Sequence, residues 1–482
     1  MKKEAEAEAS LSNPRTKASI IRDTIYRYQN LLMVVGLILS FSGGSWDITF
    51  HILSQPESFF SYPHSLVYSG ILLVISIFFI NIRKNFAAEN KIKKNNFIIL
   101  SGIVLILVAG PFDFSWHLKF GLDGLLSPPH LTLLSGWLLI AIGNLRITNL
   151  HLDRIRTNTQ NELDRTNTIS TIDGFREDIS GGGSGRGRGD AADVDRDNGL
   201  TNDKRVNMNK QGYNSWSEKS IKRRRSSNTD SESKLYRLQL FLNLSILLMI
   251  LSGILYFFSL PFSETQSYNF NPPPLLALFV YGLGFPILFS AYLVKILLRY
   301  PDLKVMVPLV GTFYITITLI TQISSNSFLS GYAGYYLLNL IPFLLFYVGS
   351  RYYYYRSNKS GSANKEKSQL LNSERKNTIT FSRLPFKYAI FAVIFAVLSY
   401  PLCFPLNTYV YNEELYGYLI YQNLVVKVYE EMLYENYMII VAMSVAGGCI
   451  GYVILQATNA TNNAAATKTT TTTTTTTVRT KG

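Results

Sequence analysis

Histidine is scarce in this chain, and its placement is the first chemical signal. There are five histidines in 482 residues, and four of them sit in two short segments that match without a gap at an offset of 66. Residues 46–70 and 112–136 pair Asp47 with Asp113, His51 with His117, and His64 with His130. Around these, Glu57 pairs with Asp123, Ser61 with Ser127, Pro63 with Pro129 and Gly70 with Gly136. Each copy reads D-x3-H-x12-H. On a helix, residues four apart share a face, so Asp47 lies with His51 and Asp113 with His117. Twelve residues then turn the chain back. Ser127 suits an N-cap and Pro128 a first helical residue, which puts His130 in the first turn of the returning helix. Two imidazoles and a carboxylate thus converge where two antiparallel helices meet.

A His-His-carboxylate set with open positions suits a transition metal. Copper is the leading choice, with iron and zinc as alternatives. The expected ligands are Asp47, His51, His64, Asp113, His117 and His130. Glu57 and Asp123 are expected as outer partners that orient an imidazole. A bis-His haem fits less well, because these histidines lie near one end of the helices. The competing reading is that Asp and His are only polar helix ends.

The elements that carry these residues are membrane spans. The chain is 47% hydrophobic, 13% aromatic and only 16% charged, against roughly 25% charged in soluble domains. Ten apolar stretches approach the ~20 residues needed to cross a bilayer. They are 29–50, 64–82, 96–115, 129–148, 237–260, 273–297, 304–323, 327–348, 386–405 and 436–456. The net charge of +14 is segregated. With ten spans, the basic residues fall on one side, except Lys119 and Lys427. The positive-inside rule then puts both termini in the cytoplasm of a multi-pass cell-membrane protein.

The expected fold is all-α and polytopic, with about ten transmembrane helices and an N-terminal four-helix half built from a duplicated helix pair. The expected parts are a cytoplasmic tail over 1–28, a metal-binding module over 29–148, a disordered cytoplasmic linker over 149–235, a six-span domain over 236–456 and a Thr-rich cytoplasmic tail over 457–482. The linker is rich in Asn, Asp, Ser and Arg, too polar to bury a core of its own. Its basic run suits anionic lipid head groups. No nucleic-acid partner is expected. Cys403 and Cys449 are too few for a disulfide framework.

The spacing D-x3-H-x12-H at helix ends resembles the metal-binding motif in the C subunit of the copper membrane monooxygenases, the particulate methane and ammonia monooxygenases. The resemblance covers Asp47, His51 and His64 in one copy and Asp113, His117 and His130 in the other, about fifty residues in all. It implies copper and oxidation of a small apolar substrate, with other membrane subunits and an electron donor as partners. The chain departs from that family in its duplication, in its length, and in the proline before each last histidine.

Spans five to ten hold no histidine and no acidic residue in their apolar cores, which speaks against an ion-driven transporter. No phosphate loop, dinucleotide fingerprint, serine elbow or HExxH is present. Beside a copper oxidoreductase stand three rivals: a metal-transfer protein without turnover, a structural membrane protein, and a metal-dependent lipid hydrolase.

Overall fold

The structure is a computed structural model. It describes residues 14–52, 58–84, 90–121, 125–180, 231–258, 272–300, 305–325, 334, 337–338, 340–359, 386–398 and 435–479. All regular structure in them is helical. The chain is α1 (Pro14–Ile52), α2 (Tyr62–Lys84), α3 (Asn90–Phe120), α4 (Pro128–Ser180) and α5 (Ser231–Phe257). Then α6 (Pro274–Phe279 and Phe285–Arg299) carries an internal π turn, Val280–Gly284. It is followed by α7 (Met306–Ser325), α8 (Leu340–Lys359), α9 (Phe386–Val397) and α10 (Tyr437–Arg479).

Seven helices among the described residues are long and apolar enough to cross a membrane, and Met306–Thr321 and Leu340–Gly349 are shorter apolar helices. The protein is therefore an all-helical, multi-pass membrane protein. The stretch 386–405, expected as a span, is described only as the twelve-residue helix Phe386–Val397 and one further residue.

The chain divides into two compact units, Met1–Leu145 with Phe241–Gly482, and Arg146–Leu240. In the second unit α4 runs on as far as Ser180. Leu152 is buried, and His151 stacks on Tyr236 with ring centroids 5.4 Å apart. Residues 181–230 lie outside the described set.

In the first unit, α1 and α2 pack through small residues. A methyl group on Gly70 would sit 2.5 Å from both Gly36 O and Ser40 N, so the backbones meet directly. Helices α3 and α4 meet in the same manner, where a methyl on Gly102 would lie 2.6 Å from Gly136 O. Close backbone approach of this kind is how apolar helices associate where hydrocarbon supplies no hydrophobic drive. Buried polar side chains join the helices further. Trp137 Nε1 donates to Ser40 Oγ at 2.8 Å, linking α4 to α1. Asn144 Nδ2 donates to Asn30 O at 3.0 Å and to Asn243 Oδ1 at 2.8 Å, linking α4 to α1 and α5.

The sequence suggests a kink or close packing at Gly282, Gly284 and Pro286. The structure has a π turn there, with Pro286 at the start of the following α-helical stretch. A methyl on Gly282 would also collide with the Met443 side chain of α10, so close packing holds as well.

Candidate metal centre

Local rules place each ligand. Helix α1 continues through Trp46–Phe50 to Ile52, so Asp47 stands in its penultimate turn. Helix α3 ends at Phe120 because Gly121 takes φ +76°, a left-handed conformation open to glycine at little cost. Gly121 N donates to His117 O at 2.9 Å, closing the last turn. The same turn swings Gly121 O back onto the His117 ring, 3.1 Å from Nδ1. Helix α4 begins as the sequence suggests: Pro128 is its first residue, and Leu131 N donates to Ser127 O. The Ser127 side chain does not cap the backbone. It lies 2.7 Å from His130 Nδ1.

The second copy assembles as expected. Asp113 Oδ1 lies 3.4 Å from His117 Nε2 and 3.4 Å from His130 Nε2. The three candidate ligand atoms all fall within 4.8 Å of one another. The side chains are only 11–20% exposed. In a tetrahedral site with bonds of about 2.0–2.1 Å, neighbouring ligand atoms stand about 3.3–3.4 Å apart. The two Asp113–histidine edges, at 3.4 Å each, have that length. Asp113, His117 and His130 form a metal-binding triad.

Hydrogen bonding shows which ring atom faces the carboxylate. A carbonyl oxygen only accepts, so His117 Nδ1 must carry the proton that reaches Gly121 O. In the neutral ring, Nε2 then presents a lone pair to Asp113. Lone pair against carboxylate is unfavourable unless a cation lies between them, or unless the ring is doubly protonated. A ligating imidazole usually has this arrangement, with its far N–H held by a carbonyl or carboxylate. Ser127 Oγ can hold His130 Nδ1 in the same sense.

The first copy repeats part of this geometry. His64 Nε2 lies 3.2 Å from Asp47 Oδ1. His64 Nδ1 is 3.1 Å from Ser58 O, so it too carries the proton, and its Nε2 faces the carboxylate. Among the described residues, then, Asp113, His117 and His130 come together, and Asp47 meets His64. The side chain of His51, and Glu57 and Asp123 entirely, lie outside the described residues.

Both copies open on one cavity of about 690 Å³. Asp47, His64, Asp113, His117 and His130 all line it, and most of the remaining wall is apolar. Sequence reasoning did not identify the carbonyls of Ser58 and Gly121 as orienting groups. A glycine four residues after His117 was a readable helix-end signal. The Ser58 carbonyl had none, since any residue type supplies that atom.

No protein-family model, no curated protein and no solved structure matches this chain.

Proposed function

We propose that this is a membrane metalloprotein in which Asp47/His51/His64 and Asp113/His117/His130 hold transition metal near the outer membrane boundary, with copper as the metal and monooxygenase-like oxidation as the activity. The observation that carries the reading is that Nε2 of His64 and of His117 faces a carboxylate, while carbonyls hold the opposite ring nitrogens. The pairs that do correspond at an offset of 66 are Asp47 with His64, at 3.2 Å, and Asp113 with His130, at 3.4 Å. A bound metal would supply oxygen activation, and the chain's own groups would fix the ligand set and surround it with an apolar wall. Electrons would come from a separate donor.

The duplication is supported by matching helix contacts. Gly36 approaches Gly70 O and Val74, and Gly102 approaches Gly136 O and Ile140. Each partner in the second set is the first moved by 66. The ten-span topology with cytoplasmic termini is supported by the distribution of Lys and Arg, and by apolar helices in α7, α8 and α9 beside the seven long ones.

The experiment is the metal content of the detergent-purified protein, measured by elemental mass spectrometry beside the double variant His117→Ala, His130→Ala. Copper at one or two equivalents, falling by at least half in the variant, is the expected result and leads to oxygen-uptake assays. Zinc alone would redirect the reading to hydrolysis or metal transfer. A protein that takes up no metal, even after incubation with copper, would leave the groups as imidazolium–carboxylate ion pairs and refute the proposal.

A further inference from the structure

The cavity is much larger than a metal site, and its shape identifies what else it receives. At one end stand the two carboxylates and three imidazoles. From there it runs along α2 as far as Ile75 and along α3 back to Ile106. His64 to Ile75 and His117 to Ile106 are each eleven residues. At roughly 1.5 Å per helical residue, both walls extend about 16 Å from the imidazoles. One leaflet of hydrocarbon is about 15 Å, half of a ~30 Å bilayer core. Two helices running in opposite directions thus wall a slot one leaflet deep, with the metal ligands at its mouth.

The slot is open sideways. Helices α2 and α3 pack only loosely against each other. Leu72 and Leu107, which line the cavity, are more than half exposed on the faces of two membrane-crossing helices. Midway along α3 the wall is made of Ala109, Gly110 and Pro111. A methyl at Gly110 would meet only the edge of the Tyr68 ring, at 3.9 Å, so space remains beside it. The slot is therefore apolar and open to the lipid, and its polar end carries groups arranged to hold a cation.

We infer that the slot takes a single-chain aliphatic lipid with an oxygen-bearing end group, of the long-chain carboxylic acid class, its chain along α2 and α3 and its oxygen end at the metal ligands. The inference rests on the metal reading above and names the substrate class for that site. The oxygen end follows from the open position that a two-His, one-carboxylate set leaves on a metal. The single chain follows from the volume, which is that of a pocket for one small ligand. A lipid with two tails and a head group exceeds it.

The test uses the full-length protein in detergent with its bound metal. Adducts with hexadecanoic acid are counted by native mass spectrometry, and metal content is measured on the same sample. Butanoic acid, hexadecane and dipalmitoyl phosphatidylcholine are the comparison ligands. The expected result is one hexadecanoic acid per chain, bound at least tenfold more tightly than each comparison ligand. Gly110→Leu fills the slot where a side chain has room, and Leu107→Trp fills it from the lipid side. Each variant should lower hexadecanoic acid binding at least tenfold and leave metal content unchanged. Chain binding that neither variant disturbs, with metal retained, would overturn this inference and leave the metal reading standing. Equal binding of the phospholipid would overturn the single-chain assignment. A wild-type protein without metal would overturn the metal reading itself.

Discussion

Ser127 offers the sharpest test of how the triad is held. Its side chain is fully buried, and Oγ lies 2.7 Å from His130 Nδ1. Ser127→Ala removes that partner and nothing else that starts α4, because the bond from Leu131 N to Ser127 O is made by backbone and survives. His130 then loses the group that turns Nε2 toward Asp113. Loss of an outer hydrogen bond to a ligating imidazole typically costs about 10–100-fold in metal affinity. That corresponds to about 1.4–2.7 kcal/mol. The assay is a competition titration of the purified protein with a chelator of known affinity, in wild type, Ser127→Ala and Ser61→Ala. Ser61 is the counterpart of Ser127 in the repeat, yet His64 Nδ1 takes the Ser58 carbonyl instead. Ser61→Ala should therefore leave affinity unchanged. If Ser127→Ala binds as tightly as wild type while His130→Ala loses the metal, the hydroxyl does not position the ring. If Ser61→Ala weakens binding as strongly as Ser127→Ala, the effect is general to these helix starts and the argument from the ring nitrogen fails.

Three further outcomes are expected. Gly70→Leu should destabilise the protein by about 1–3 kcal/mol or more, since its Cβ would press on the backbone of α1, and thermal unfolding by fluorescence-detected size exclusion measures this against a tolerated Gly110→Leu. Asn144→Leu breaks buried hydrogen bonds to Asn30 and Asn243 at once and should cost about 1–2 kcal/mol by the same assay; an unchanged midpoint would show that this junction contributes nothing. Metal retention should depend on pH, because protons and metal compete for the same Nε2 lone pairs and imidazole titrates near ~6.5 in reference peptides. Metal should be released as pH falls, at a pH that is lower the tighter the metal is bound, and elemental analysis after dialysis at a series of pH values reads it directly. Release at the same pH in wild type and in His130→Ala would exclude that imidazole as a ligand.

The residues of the site were legible in the sequence because they follow from local geometry. Asp113 and His117 lie four apart, and a helix brings such a pair onto one face wherever it sits. Ser127 and Pro128 start a helix by their own chemistry, so His130 falls in its first turn. The membrane-crossing helices were legible for a similar reason, since hydrocarbon requires apolar length and internal backbone hydrogen bonds. The stacking of His151 on Tyr236 was not legible, because it joins segments distant in sequence.

Other features depend on how closely helices approach and how they are rotated. Nothing in D-x3-H-x12-H states that one oxygen of Asp113 stands 3.4 Å from both imidazoles. The Asp113–His117 contact lies within one helix, while the distance from Asp113 to His130 depends on the approach of α3 and α4 at Gly102 and Gly136. The choice of Gly121 O and Ser58 O as ring partners is likewise tertiary, since every residue carries a carbonyl and only the folded chain selects one. Sequence alone left open whether the two copies act apart. Packing brings Asp47, His64, Asp113, His117 and His130 onto one cavity, because loosely packed α2 and α3 leave space between them. Residue type and spacing determined which groups can bind metal. The closeness of the helices decided which of those groups meet, and what else enters beside them.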